Sequence, residues 1–351
     1  MPLPTLYGHE GVRLRLGGAI AAGRLPQALL FEGPRGVGKQ RLALWLAQTL
    51  LCEREDGRGE PCGDCRSCRL VAGLAHPDLH WFIPVESPRR GGDPQKQIEL
   101  VEEALGEEFA RRREQPLYPP PSGLASHGIA AIRLLLRRLV LTPAMGGMKV
   151  FIIGDAERLV PQTGAEQAAN ALLKALEEPP HDTQFVLTTG DHEALLPTIL
   201  SRVVRVKVQR LTDSVVTSFV QNELASQRPP RDVASHIVAA EGCPGRLIAN
   251  GGDARGAGSG APDAVTRAAR GPAAGRYAVA LAQKPFEARG TFSDMLDALV
   301  RRLRDEIRNG GDSAVLVRAI GRVLDARELA QGNVNPQLLT AVLAEDLAGV
   351  A

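Results

Sequence analysis

Residues 28–50, ALLFEGPRGVGKQRLALWLAQTL, constrain this chain more than any other stretch. Strand-like residues run into a turn carrying Gly33, Gly36 and Gly38, and an apolar-rich helical pattern follows at once. A strand, a glycine turn and a helix in that order open a βαβ unit, so a parallel sheet covered by helices is expected. The turn nearly spells the phosphate loop G-x-x-x-x-G-K-[ST]: Gly33, Gly38 and Lys39 match, but Gln40 stands where a Ser or Thr hydroxyl would hold Mg²⁺. Backbone N–H groups of such a turn and the N-terminus of its helix converge on an anion. The setting favours a phosphate loop by descent over a chance glycine turn, and leaves open whether ATP is bound or hydrolysed.

Four more strand candidates follow: Leu79–Ile83, Lys149–Ile153, Gln184–Thr189 and Val203–Val208. With Ala28–Glu32 they predict a five-stranded α/β sheet. The first three are consecutively apolar, as strands buried on both faces are, whereas Val203–Val208 alternates Val with Arg, Lys and Gln and suits an edge. The Pro- and Gly-rich tract PVESPRRGGDPQKQ, a charged helical stretch and YPPPSG read together as a surface insertion, 84–125.

At 351 residues the chain is too long for one core. Helical patterns at 213–227 and 231–241 suggest a small helical domain, and the composition of Asn250–Pro262 suggests a linker. Phe292, Met295, Leu296, Leu299, Val300, Leu303 and Ile307 then recur at helix spacing. The domains expected are 1–210, 211–252 and 262–351. A net charge of +2 and 4% aromatic content argue against a stand-alone nucleic-acid binder, which needs a concentrated basic surface and stacking side chains. No membrane-length apolar run and no secretory signal is visible, so a cytoplasmic setting without a membrane is expected.

Cys52, Cys62, Cys65 and Cys68 fall in one excursion and end it with C-x2-C-x2-C. Four thiolates so close suit a structural, tetrahedral Zn²⁺ with no open position, more than four reduced thiols in a loop. His76 or His80 could replace one cysteine. After KVFII, where a phosphate-loop ATPase carries an Asp for Mg²⁺ and a Glu for water, this chain has Gly154 and Asp155, and Asp155 fits a helix cap equally well. Arg202 in LPTILSRV could reach a neighbouring subunit's nucleotide as an arginine finger; on spacing alone it reads as a surface arginine.

NALLKALEEPP, LPTILSRV, HPDL and the four-cysteine insertion together resemble the bacterial DNA polymerase III clamp-loader ATPases of the AAA+ class, and within them the delta-prime type. That resemblance implies an AAA+ domain with a zinc module at 52–68, a helical lid and an all-α collar through which subunits assemble. It implies partners of the gamma/tau and delta types, with the sliding clamp and primed DNA engaged by the whole complex. Any nucleotidyltransferase (DNA-directed DNA polymerase) activity belongs to the holoenzyme. Arg202 then matches the family's trans-acting arginine, with Ser201 before it and Val203 where the family has Cys. Cys52, Cys62, Cys65 and Cys68 match its zinc ligands, and Thr189 matches its sensor. The departures are Gln40, Gly154 with Asp155, and Gly245 where a motor's lid carries Arg. They imply a largely non-hydrolysing stator and make ATP and Mg²⁺ binding doubtful; the alternative is an ATP-hydrolysing motor of the gamma/tau kind.

Overall fold

The computed structural model describes residues 5–54, 59–86, 93–119, 125–145, 147–159, 166–224, 233–249, 260–283, 291–308, 310–330 and 334–350. The strands are β1 (Ala28–Glu32), β2 (Leu79–Phe82), β3 (Val85–Glu86), β4 (Ala125–Ser126), β5 (Lys149–Ile153), β6 (Thr183–Thr189) and β7 (Val204–Lys207). Five of them form one parallel sheet in the order β2-β5-β6-β1-β7. All residues of β1, β5 and β6 are buried, as their continuous apolar runs require. The charged, largely exposed β7 is the edge that its alternation predicts, and Arg205 reaches back 2.7 Å to the buried Glu32 carboxylate. The apolar β2 is the opposite edge, and its first two residues are therefore only half-buried.

The helices of this sheet unit are α1 (Glu10–Ala21), α2 (Lys39–Leu50), α3 (Arg66–Ala72), α4 (Pro94–Glu114), α5 (Ile129–Leu139), α6 (Gln167–Glu177) and α7 (Pro197–Leu200). The helix after the glycine loop, α2, buries Leu42 to Ala47 without a gap, so it lies inside the core. Three shorter helices follow: α8 (Asp213–Phe219), continued by a π-helical turn to Leu224, α9 (Val233–Ala240) and α10 (Gly245–Ala249). They share a small apolar cluster of Val216, Phe219, Val220, Ala240 and Leu247. Residues 225–227 and 231–232 of the helices expected there lie outside the described residues.

The region 84–125 departs from a surface insertion of loops. Asp93 caps α4 by accepting from the Gln95 N–H at 3.0 Å, and Pro94 takes the first helical position, so PQKQ begins a helix. That helix buries Ile98, Val101 and Leu105 against the core, while β3 and β4 pair antiparallel beside it. Its last turn packs Arg112, 1% exposed, against the rings of both Trp81 (4.6 Å) and Tyr118 (3.9 Å), with Nε donating to Glu108 at 2.8 Å. Charge composition hides this arrangement, because a ring-packed, buried guanidinium reads in sequence as one more surface arginine.

The chain forms two compact units, Met1–Pro121 with Ala125–Ala254, and a smaller one over Arg255–Ala351. Most of the linker expected at 250–262 lies outside the described residues, and its last three residues already belong to α11 (Gly260–Ala269). The smaller unit continues with α12 (Ala273–Leu281), α13 (Thr291–Arg308), α14 (Ser313–Leu329) and α15 (Pro336–Val350). The predicted stripe on α13 is its core face: Phe292, Met295, Leu296, Leu299, Val300 and Leu303 are buried against Leu316, Val323, Leu339 and Leu343. No described helix is long and apolar enough to cross a membrane.

Replacing Arg112 with Ala should remove both cation–π contacts and open a cavity, lowering unfolding free energy by about 2 kcal/mol or more. Urea denaturation reads this directly, and an unchanged midpoint would show that these contacts contribute nothing.

Candidate functional site

The glycine loop is fixed by approaches that only glycine permits. A Cβ on Gly33 would stand 2.2 Å from the Val208 carbonyl oxygen, and Gly36 and Gly38 hold φ of 80° and 107°. Lys39, nine-tenths or more buried, folds back into this loop and donates from Nζ to the Gly33 and Pro34 carbonyls at 2.8 and 2.9 Å. Burial pushes its pKa down, against the pull of the Glu157 and Asp155 charges. The ammonium that a phosphate loop offers to its ligand is here bonded to the loop itself.

Gln40 and Gly154 are complementary. The Gln40 Nε2 donates to Asp155 Oδ2 at 3.0 Å, and a Cβ on Gly154 would lie 2.9 Å from that same nitrogen. The amide thus fills the space that a side chain at 154 would need. Asp155 has a left-handed φ of 49°, and its N–H donates to Thr188 Oγ1 at 3.1 Å. His127 Nε2 donates to the Gly154 carbonyl at 2.6 Å; burial holds its pKa down at about 4, so the ring is neutral and free to donate. Thr189 turns its hydroxyl to the Asp191 backbone, donating to the carbonyl at 2.8 Å and accepting from the N–H at 3.0 Å.

Two contributors, Glu157 and His9, escaped the sequence reading. Glu157, 8% exposed, accepts from the Gly190 N–H at 3.3 Å and lies 3.8 Å from the Arg35 guanidinium. Burial, helped by the Asp155 charge, raises its pKa. Its only sequence signal is an acid two residues beyond Asp155. His9, buried with φ of 64°, bonds through Nε2 to the Val37 carbonyl at 2.9 Å and pins the loop from its α1 side. From the other side the N–H of Gly245, at the head of α10, donates to the Gly36 carbonyl at 2.9 Å. A Cβ on Gly245 would come within 2.7 Å of Gly36 Cα, so the lid sits directly on the loop. The neighbouring Arg246 donates from Nη1 to Glu241 at 2.6 Å.

Arg202 stands apart from this cluster. Parallel pairing matches Leu29 with Val204 and Glu32 with Lys207, so Arg202 precedes the start of β7 while the glycine loop follows the end of β1. Five residues of strand separate the two levels by about 16 Å, beyond the reach of one arginine. Its Nε and Nη2 donate to Glu177 Oε2 at 3.3 and 3.1 Å.

The four cysteines also form their own centre. Their sulfurs lie within 4.8 Å of one another, with Cys52–Cys65 at 4.0 Å and Cys62–Cys68 at 3.9 Å. Tetrahedral zinc–thiolate bonds of about 2.3 Å require sulfurs about 3.8 Å apart, so the set fits such an ion. Backbone N–H groups of Cys62, Cys65 and Cys68 donate to the sulfurs of Cys52, Cys62 and Cys65 at 3.5, 3.3 and 3.3 Å, which favours thiolates. Neither histidine joins them: His76 bonds Ser67 Oγ and the Asp78 N–H, and His80 lies against the Phe151 ring.

A parallel sheet with its glycine loop at the end of β1, between β6 and the edge strand β7, a helical lid on that loop and a four-cysteine excursion after α2 define a phosphate-loop fold of the AAA+ kind. The chain belongs to the DNA polymerase III delta-subunit family, whose model matches residues 8–212. It is 33% identical over 232 residues to the DNA polymerase III subunit delta' of Bacillus subtilis, covering 66% of this chain and 52% of that protein. The Escherichia coli subunit delta' is 31% identical over 188 residues, 54% of this chain and 44% of that protein. The Escherichia coli subunit tau is 30% identical over 240 residues, 68% of this chain and 30% of that protein. The chain thus spans about half, or less, of the length of these relatives.

Gly154→Asp should destabilise the chain by about 1–3 kcal/mol, because the new side chain meets the Gln40 amide. Combining it with Gln40→Thr should cost less than the two single changes summed, with coupling of about 1 kcal/mol. A double-mutant cycle by urea denaturation checks this; strict additivity would mean that the two positions do not share that space.

Proposed function

We propose that this chain is a clamp-loader stator: it does not turn over ATP and supplies Arg202 to the nucleotide site of an adjoining motor subunit. The observation that carries this reading is the contrast between the two ends of β1 and β7. At one end Lys39 is bonded to the carbonyls of its own loop, Gln40 and Gly154 stand where the resemblance expects a hydroxyl and an acid for Mg²⁺, and Gly245 stands where a motor's lid carries Arg. At the other Arg202 lies too far from its own loop to serve it, so a phosphate that it touches belongs to another chain. Phosphoryl transfer depends on positioned charge, and a metal-bound triphosphate in a neighbour supplies what this loop lacks.

On this reading residues 1–210 are the ATPase-like domain, 211–252 the lid and 262–351 the collar through which subunits associate. The partners are gamma/tau and delta subunits, and the assembly acts on a sliding clamp and primed DNA. The metal at Cys52, Cys62, Cys65 and Cys68 is zinc. It is structural, since all four ligand positions come from the protein and none is open for water.

Reconstitution with Arg202→Ala is the test. DNA-stimulated ATP hydrolysis by the assembly should fall at least about tenfold at the adjoining site, consistent with the large contribution of such arginines. Wild-type rates would sink the finger role. The purified chain should show no ATP turnover, and Lys39→Ala should leave that baseline unaltered; turnover abolished by Lys39→Ala would favour a motor subunit instead. Metal analysis should find one zinc per chain, with Cys65→Ser losing it and a chelator lowering the melting temperature.

A further inference from the structure

Arg202 is held in cis by a carboxylate that nothing in the nucleotide chemistry requires. Its Nε and Nη2 both point at one oxygen, Glu177 Oε2, at 3.3 and 3.1 Å, while Nη1 donates to the Thr198 carbonyl at 3.0 Å and Ser201 Oγ at 3.3 Å. Every guanidinium nitrogen is therefore engaged within this chain. The edge carrying Nε and Nη2 is one that makes paired contacts to a phosphate, so the carboxylate and a neighbour's nucleotide compete for it.

Two features make the hold weak enough to yield. The pair is forked onto a single oxygen, and both distances exceed the roughly 2.7–2.9 Å of strong charge-assisted bonds. Both side chains are also partly open to water, 28% for Arg202 and 58% for Glu177, so solvent and salt screen them. Glu177 is moreover the last residue of α6, where the helix dipole disfavours a carboxylate. The arginine offsets that repulsion while it stays, and the carboxylate can return to water when it leaves.

We propose that Glu177 is a latch on Arg202. It is a positioning residue that keeps the guanidinium folded on its own subunit until the phosphates of an adjoining nucleotide displace it. The latch rests on the reading of Arg202 as a trans-acting arginine and adds a cost to nucleotide binding next door. Removing it raises the neighbour's apparent affinity for ATP without altering how the arginine acts once docked.

The experiment uses the reconstituted assembly in which only the adjoining motor site is catalytically intact, comparing wild type, Glu177→Ala, Arg202→Ala and the double variant. With Glu177→Ala, KM for ATP should fall about two- to fivefold, the scale of an exposed ion pair, while kcat stays within about twofold. The KM difference should shrink at high salt. The double variant should match Arg202→Ala, because a latch acts only through the arginine. An unchanged or raised KM in Glu177→Ala, with Arg202→Ala impaired, overturns the latch. A double variant clearly worse than Arg202→Ala also overturns it, and shows that Glu177 only ties α6 to α7. If Arg202→Ala itself leaves hydrolysis intact, the finger reading fails and takes the latch with it.

Discussion

The glycine loop is gripped backbone to backbone, and much of the larger unit is arranged around that grip. Gly33 lies under the Val208 carbonyl beyond the end of β7, and Gly36 meets Gly245 at the head of the lid. These contacts leave no room for a β-carbon. They join β1, the edge strand β7 and the lid at one point, with His9 closing the remaining side. In a loop that cycles nucleotide, backbone N–H groups and the lysine face a ligand. Here Lys39 donates to the carbonyls of the loop itself, and the Gly245 N–H donates to Gly36 from the lid.

Gln40 and Gly154 show how such a change is accommodated in a packed interior. Loss of the side chain at 154 leaves space, and the amide at 40 fills it and bonds Asp155. Close packing couples the two positions although they lie 114 residues apart in sequence. Arg202 is built on the opposite principle. Its partners Glu177, Thr198 and Ser201 are all at or near the ends of short helices, partly exposed and individually weak. One end of the sheet is fixed while the other holds its charge loosely.

The sheet was legible because burial on two faces forces runs such as KVFII and QFVLTT, which composition alone cannot disguise. The edge at Val204–Lys207 was legible from its charges; the edge at Leu79–Phe82 was not, since an apolar strand can border a sheet when helices shield it. The cysteine centre was legible from spacing, because tight turns bring thiols together with little help from the rest of the fold. Arg112, His9, Glu157 and Glu177 were not. Each takes its meaning from a partner far away in sequence or from burial, and charged residue types carry no mark of either. The helix beginning at Pro94 was obscured by the proline and glycines before it, although Asp93-Pro94 is an N-terminal cap signature.

The sheet order also sets a timetable for synthesis. β1 is made first, but its hydrogen-bonding neighbours are β6 and β7, so Leu29 pairs with Val186 and Val204. Nothing made before residue 183 can flank it in the sheet. At about 5–20 residues per second, the apolar strand and the helix behind it wait on the order of ten to thirty seconds before both edges close. For that interval the nascent chain carries an unpaired hydrophobic strand next to a loop of glycines. The order that sets the phosphate loop at the end of β1, between β6 and β7, makes this protein a candidate client for chaperones at the ribosome.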